Sequence, residues 1–195
     1  IRAQAQVALA EPDDARRAHA LQATLQGCDR AARLVDQLLT LSRLESGAAV
    51  PMAPVDLRAL ARQAVADLAP RALVRQQELE LDAAESCSVM GDATLLSILL
   101  RNLVDNALRY SPPGARIAVT VSADGGVPQL TVEDSGPGLD DAALQRLGQR
   151  FQRGLGHDAS GSGLGWSIVR RIADVHGLQV HAEHSARLGG LAVRV

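Results

Sequence analysis

Lysine is absent: all twenty basic side chains among the 195 residues are arginine. That excludes every site built on an amine, namely the phosphate-binding loop that ends in Gly-Lys-Ser/Thr, the strand lysine of eukaryotic-type protein kinases, and Schiff-base chemistry. Cysteine is scarce. Cys28 and Cys87 stand far apart and form no CxxC or Cys/His ligand spacing, so buried, reduced thiols are expected, with neither a disulfide nor zinc. No run of eighteen apolar residues occurs, and the N-terminus lacks the order of a signal peptide. A net charge of −2 gives no basic face for nucleic acid or an anionic membrane. There is no repeat and no low-complexity tract. What is present is a chain with 47% hydrophobic residues, enough for a real core in one domain plus an appendage.

The pattern along the chain changes character once. From residue 15 to 45 there is no proline, and Ala18, Leu21, Leu25, Cys28, Ala32, Val35, Leu39 and Ser42 recur at alternating spacings of three and four. That is a heptad seam, with Asp29, Arg30, Arg33, Asp36 and Arg43 on the solvent side. Glu11-Pro12-Asp13-Asp14 breaks off a preceding helical stretch, residues 1–10. The picture is an antiparallel helical hairpin with a short first arm; an ordinary amphipathic helix has the same pattern. Because the chain opens in mid-helix without a methionine, it is expected to be cut from a longer protein, and membrane spans would lie upstream.

Residues 1–47 are therefore assigned to the hairpin, 48–54 to a Gly/Ala/Pro linker, and 55–195 to a second domain. That domain reads as helices over 56–72, 92–110, 140–147 and 166–176, and strands over 79–82, 88–90, 116–122, 130–133, 179–184 and 191–195. The fold class expected is α+β, a two-layer sandwich with helices on one face of a mostly antiparallel sheet.

Four segments of this domain could carry chemistry. On the 92–110 helix, Asn102, Asn106, Arg109 and Tyr110 share one face. Asparagine is a poor residue inside a helix, so the stripe needs solvent or a ligand. An amide oxygen suits Mg²⁺, and arginine offers forked donors to phosphate. In Asp134-Ser135-Gly136-Pro137-Gly138 a carboxylate ends a strand and glycines follow. The backbone could there approach a flat ligand while the carboxylate accepts from an exocyclic amine, although the same residues make an ordinary turn. Gly161-Ser162-Gly163-Leu164-Gly165 runs straight into a helix, where free N–H groups can meet phosphate. Ahead of it, Phe151-Gln152-Arg153 and residues 154–160 form either a segment able to close over a ligand or a surface loop.

Their fixed order is more specific than any one of them. Asn102-Leu-Val-Asp-Asn106-Ala-Leu-Arg109-Tyr110 resembles the N box of the sensor histidine kinases of two-component systems, and Asp134-Ser-Gly136-Pro-Gly138 resembles their G1 box. Phe151-Gln-Arg153 is similar to the F box and Gly161-Ser162-Gly163-Leu164-Gly165 to the G2 box. Leu34-Val-Asp-Gln-Leu-Leu-Thr-Leu-Ser-Arg-Leu-Glu45 resembles the second helix of the dimerisation and phosphotransfer hairpin, especially of QseC-like and PmrB-like members. The resemblance implies a GHKL (Bergerat) ATP-binding fold behind a hairpin that pairs into a dimeric four-helix bundle. It implies ATP and Mg²⁺ as cofactors, with Asn106 on the metal and Asn102, Arg109 and Tyr110 lining the nucleotide site. Asp134 would read adenine, beside Gly136 and Gly138, and Arg153 and the glycine loop would hold phosphates, with Asn102, Arg109 and Arg153 in catalytic roles. Implied partners are a second copy of the chain and a response-regulator receiver domain, at the cytoplasmic side of a bacterial inner membrane.

Two departures stand out. The phosphoacceptor motif His-Glu-Leu-Arg-x-Pro does not occur, and His19, His157, His176, His181 and His184 read as structural or surface residues. Trp166 occupies a position where the family usually has a small aliphatic residue. Competing readings are a nucleotide-binding dimerisation scaffold or phosphatase, and another GHKL ATPase of the gyrase, Hsp90 or MutL kind. The heptad hairpin weighs against the last.

Overall fold

The structure is a computed structural model that describes residues 2–45, 50–83, 87–147 and 164–195. It falls into two compact units, residues 1–45 and 46–195. In the first, α1 (Arg2–Ala10) packs on α2 (Asp14–Glu45). At 32 residues, α2 is about 48 Å long. Its seam residues Leu21, Leu25, Val35 and Leu39 are all exposed, as are Leu34 and Leu38.

The second unit begins with β1 (Ala53–Asp56), which pairs antiparallel with β3 (Ser88–Gly91). Residues 53 and 54, expected in the linker, are thus already strand. Asp56 closes this strand and caps α3 (Leu57–Val74), its carboxylate accepting from the Arg58 and Ala59 amides at 2.9 and 3.1 Å. The main sheet has the order β2 (Glu78–Ala83), β4 (Arg116–Asp124), β5 (Val127–Asp134), β7 (Leu191–Arg194), β6 (His181–His184). Only the β2/β4 pair is parallel. Gly125 and Gly126, at φ 57° and 82°, make the two-residue turn between β4 and β5.

The sheet is half-buried, as its alternation predicts. Ile117, Val119 and Val121 of β4 are buried, while Thr120 and Ser122 between them are less so. Against the buried face lie α3 and α4 (Ala93–Tyr110), and α6 (Leu164–His176) packs on α4; together they contribute Leu68, Leu99, Leu103, Leu108, Ile168 and Ile172. A short α5 (Asp141–Leu147) follows β5. This is the two-layer α/β sandwich the sequence led us to expect.

Helix α4 is fastened at both ends. The Asp92 carboxylate caps its start by accepting from the Leu95 amide at 2.9 Å. At its other end the buried Gln77 side-chain amide donates toward the carbonyls of Leu108, Ser111 and Pro112 at 3.0, 2.8 and 3.1 Å. Arg75 reaches the carbonyls of Arg109 and Ser111. Those of Leu108, Arg109 and Ser111 are carbonyls a helix terminus leaves unpaired, while that of Pro112 also accepts from the Ala115 amide. Replacing Gln77 with leucine keeps the bulk and takes the side-chain donor away from the buried end of α4, above all from the Leu108 carbonyl, so Gln77→Leu is expected to lower stability by about 1–3 kcal/mol. Urea unfolding of the chain measures this; an unchanged midpoint would contradict it.

Candidate functional site

Asp134 ends β5 with its side chain buried, 7% exposed. One carboxylate oxygen, Oδ1, accepts from the backbone amides of Gly136 at 2.8 Å and Leu191 at 3.3 Å. The Gly190 amide donates to the Asp134 carbonyl at 3.1 Å. Around it the chain is pared to glycine. A Cβ on Gly190 would stand 2.3 Å from Asp134 Oδ1, and one on Gly136 would stand 2.9 Å from the same atom and 3.0 Å from Ser111 Oγ. Gly138, at φ 66°, lies against Gly190. No side chain fits at 136 or 190 while the carboxylate keeps its place.

Burial pushes the Asp134 carboxyl above its ordinary value of 3.8, opposed by the hydrogen bonds from Gly136 and Leu191 and by the Ser111 hydroxyl. The carboxylate is therefore held in place by two amides yet remains uncomfortably dry. A ligand that donates to it relieves that strain.

Ser111 is the C-cap of α4, so the same helix that touches Asp134 at its end carries Asn102 and Asn106 further back, about 13 Å along its axis for Asn102. Asn102 Nδ2 donates to the Ile98 carbonyl at 2.7 Å. That leaves Oδ1 facing Gly165, whose Cβ, if present, would be 3.0 Å from it; the Asn106 amide atoms would be 3.6 and 3.7 Å away. Gly165 is the second residue of α6, so both asparagines meet the start of a helix, where amides are unpaired and the dipole is positive.

Arg109 does not join them there. It pairs with Asp105 at 3.2 Å, and Asp105 also takes an ion pair from Arg71 of α3. Two guanidinium groups thus share one carboxylate, which links α3 to α4. Tyr110 is 48% exposed. Trp166 donates its indole N–H to the Leu147 carbonyl at the end of α5, and Arg170 reaches the same oxygen at 3.4 Å. Arg153, Gly161, Ser162 and Gly163, with the rest of residues 148–163, lie outside the described residues. Leu164 is the first residue of α6.

Among the described residues no three His, Cys, Asp or Glu side chains gather to hold a metal. The neutral amide oxygens of Asn102 and Asn106 fit instead a hard cation that keeps its waters and is shared with a phosphate. The arrangement is an elongated site, with a dry carboxylate in a glycine cradle at one end and amide oxygens beside a helix start at the other.

The profile of the HATPase_c family, the histidine kinase-, DNA gyrase B-, and HSP90-like ATPases, matches residues 91–195. The chain belongs to this family. It is 43% identical over 198 residues to the sensor protein QseC of Escherichia coli (strain K12), covering 100% of this chain and 43% of that protein. The solved cytoplasmic segment of histidine kinase QseC superposes with a TM-score of 0.59 at 36% identity, covering 85% of this chain and 91% of that one. Full-length ShkA in complex with AMPPNP gives a TM-score of 0.71 at 26% identity, over 95% of this chain and 39% of that one. This chain thus spans less than half the length of the curated relatives it matches.

Gly190 escaped the reading of the sequence. Its signal was there, in Gly189-Gly190 just ahead of the last strand, but nothing local says that this pair closes on Asp134, 56 residues earlier.

The pH dependence of stability tests the Asp134 environment. The folded carboxyl keeps its proton to higher pH than the unfolded one, so its stabilising contribution is present in acid and is lost as pH rises from 3.8 through the folded value. Asp134→Asn removes the buried charge, and its gain in melting temperature is expected to be larger at pH 7 than at pH 4. Equal shifts at the two pH values would show that the carboxylate carries no desolvation penalty.

Proposed function

We propose that the chain is the nucleotide-binding and dimerisation core of a sensor histidine kinase. It binds Mg-ATP and passes the γ-phosphoryl group to a histidine that lies outside these residues, from which an aspartate of a response-regulator receiver domain takes it. The observation that carries this reading is Asp134, dry and cradled by glycines, joined through a single helix to Asn102 and Asn106 at the start of α6. A carboxylate accepts but does not donate. It therefore selects the exocyclic amine of adenine over the carbonyl that guanine presents at that place. The phosphates lie toward Gly165 at the start of α6, where helix amides meet them, and the family resemblance assigns Arg153 and the glycine loop to the same phosphates. Asn106, with Asn102 beside it, offers its amide oxygen to the Mg²⁺ that arrives with the nucleotide, and the metal supplies charge neutralisation on the phosphates. Arg109 and Tyr110 stand at the rim.

In the transfer, a bond forms between the γ-phosphorus and a histidine nitrogen as the bond to the β-phosphate oxygen breaks, and ADP leaves. Such a reaction asks mainly for positioning and charge stabilisation. The protein must therefore hold the nucleotide in a fixed line and bring a histidine to it. Exposed Leu21, Leu25, Leu34, Val35, Leu38 and Leu39 on α2 support a second copy as the partner that covers the seam, since large apolar stripes seek burial. That seam favours the kinase over a gyrase-like or Hsp90-like ATPase. The neighbouring protein solved as a cytoplasmic segment supports placing this core on the cytoplasmic side of an inner membrane, with any membrane span outside these residues.

The decisive experiment restores the coding sequence upstream of Ile1 and incubates the protein with γ-labelled ATP and Mg²⁺. Acid-labile label is expected on the protein and is expected to vanish in Asn106→Ala. Asp134→Asn should weaken ATP binding by about 10- to 100-fold, the loss of one charge-assisted hydrogen bond in a buried site. Steady ATP hydrolysis with no phosphoprotein would instead mark a different ATPase of the family.

A further inference from the structure

Among the described residues, helices α4 and α6 run antiparallel and approach each other closely at two points that involve polar groups. One is Gly165 against Asn102 and Asn106. The other lies at the opposite end of both helices, where His176, the last residue of α6, reaches the start of α4. Its Nε2 is 3.0 Å from the Asp92 amide nitrogen, and its Nδ1 is 2.8 Å from the Ile172 carbonyl oxygen. Because a backbone amide can only donate, Nε2 must be the acceptor; because a carbonyl can only accept, Nδ1 must carry the proton. The ring is thereby fixed as one neutral tautomer. Glycine at position 91 leaves room for both the ring and Leu96: a Cβ there would stand 2.7 Å from Leu96 Cδ1, 2.9 Å from His176 Cδ2 and 3.2 Å from Nε2.

Between these points the helix contact is apolar. Ile168, Val169, Ile172 and Ala173 of α6 are at most 2% exposed, and Leu96, Leu99 and Leu103 of α4 at most 5%. Apolar burial is non-directional, so it holds the helices together without setting how far one slides along the other. The polar contacts do set it. From Asp92 to Asn102 is ten residues and from Gly165 to His176 is eleven, rises of about 15 and 16.5 Å. The two separations match, so one register satisfies both ends.

We infer that His176 is a positioning residue of the nucleotide site. By accepting from the Asp92 amide it fixes the slide of α6 along α4 and so places the start of α6 against Asn102 and Asn106. The inference rests on the nucleotide reading of that site for its consequence, although the tether itself does not. Removing the acceptor while keeping an aromatic ring frees the slide. A small misplacement at a site that works by alignment is expensive.

The test uses the whole chain in three forms: unaltered, His176→Phe and His176→Gln. Glutamine can place Oε1 where Nε2 stood, so it restores the acceptor without the ring. Trp166 is the sole tryptophan and sits in the first turn of α6, next to Gly165, so its emission reports the seating of that end even without nucleotide. His176→Phe is expected to fold, to bind Mg-AMPPNP about tenfold more weakly, and to shift the Trp166 emission; His176→Gln is expected to return both close to the unaltered values. Unchanged affinity and emission in His176→Phe would overturn the inference. So would a glutamine variant as impaired as the phenylalanine one, since ring packing would then be what matters. If His176→Phe does not fold, His176→Leu, which also removes the acceptor, takes its place with the same two outcomes. Failure of the unaltered chain to bind AMPPNP would overturn the nucleotide reading alone, and the emission of the variants would still decide the tether.

Discussion

A carboxylate taken out of water destabilises a fold unless something donates to it. Asp134 is where this protein accepts that penalty. Two backbone amides hold one of its oxygens, and the chain around it is stripped of side chains at positions 136 and 190 so that the amides can come close. Much of the second unit can be seen as support for this one group. β5 delivers it from the centre of the sheet, β7 brings Leu191 and Gly190 to it, and the end of α4 brings Ser111. The compensation these groups provide is partial, because burial still wins and the carboxyl remains raised.

Helix α4 leads from that group to the two asparagines at the start of α6. Its apolar face is buried against the sheet and α6, its N-terminus is capped by Asp92, and its C-terminus is gripped by Gln77 and Arg75 from the α3–β2 connection. With both ends fixed, the polar stripe has little freedom. Asp105 shares itself between Arg71 and Arg109, which ties α3 to α4. For the function proposed, rigid placement of weak ligands matters more than strong ligands, since phosphoryl transfer works by alignment.

Sequence and structure agree where local rules govern. The helix and strand pattern was readable from periodicity and from turn residues such as Gly125-Gly126, and the family resemblance rested on Asn102, Asn106, Asp134 and the glycine run before α6. Three features were out of reach because they depend on pairings distant in sequence. Gly190 closes on Asp134 only once β7 lies beside β5. His176 read as an ordinary structural histidine because its partner, the Asp92 amide, is 84 residues away. Arg109 shares a helix face with the asparagines, yet Asp105 and Arg71 draw it into an ion-pair group that helical spacing alone could not reveal. The strand at residues 53–56 was missed for the same reason, since Pro54 discourages a strand assignment unless a partner such as β3 is known.

The central claim is that one nucleotide lies along α4, with its base on Asp134 and its phosphates at the start of α6. A crystal structure of this chain grown with Mg²⁺ and AMPPNP tests it most directly. The account predicts the adenine amine within hydrogen-bond distance of the Asp134 carboxylate, and the metal and phosphates between Asn106 and the first turn of α6. A base that leaves Asp134 without a partner, or phosphates bound away from the asparagines, would contradict it.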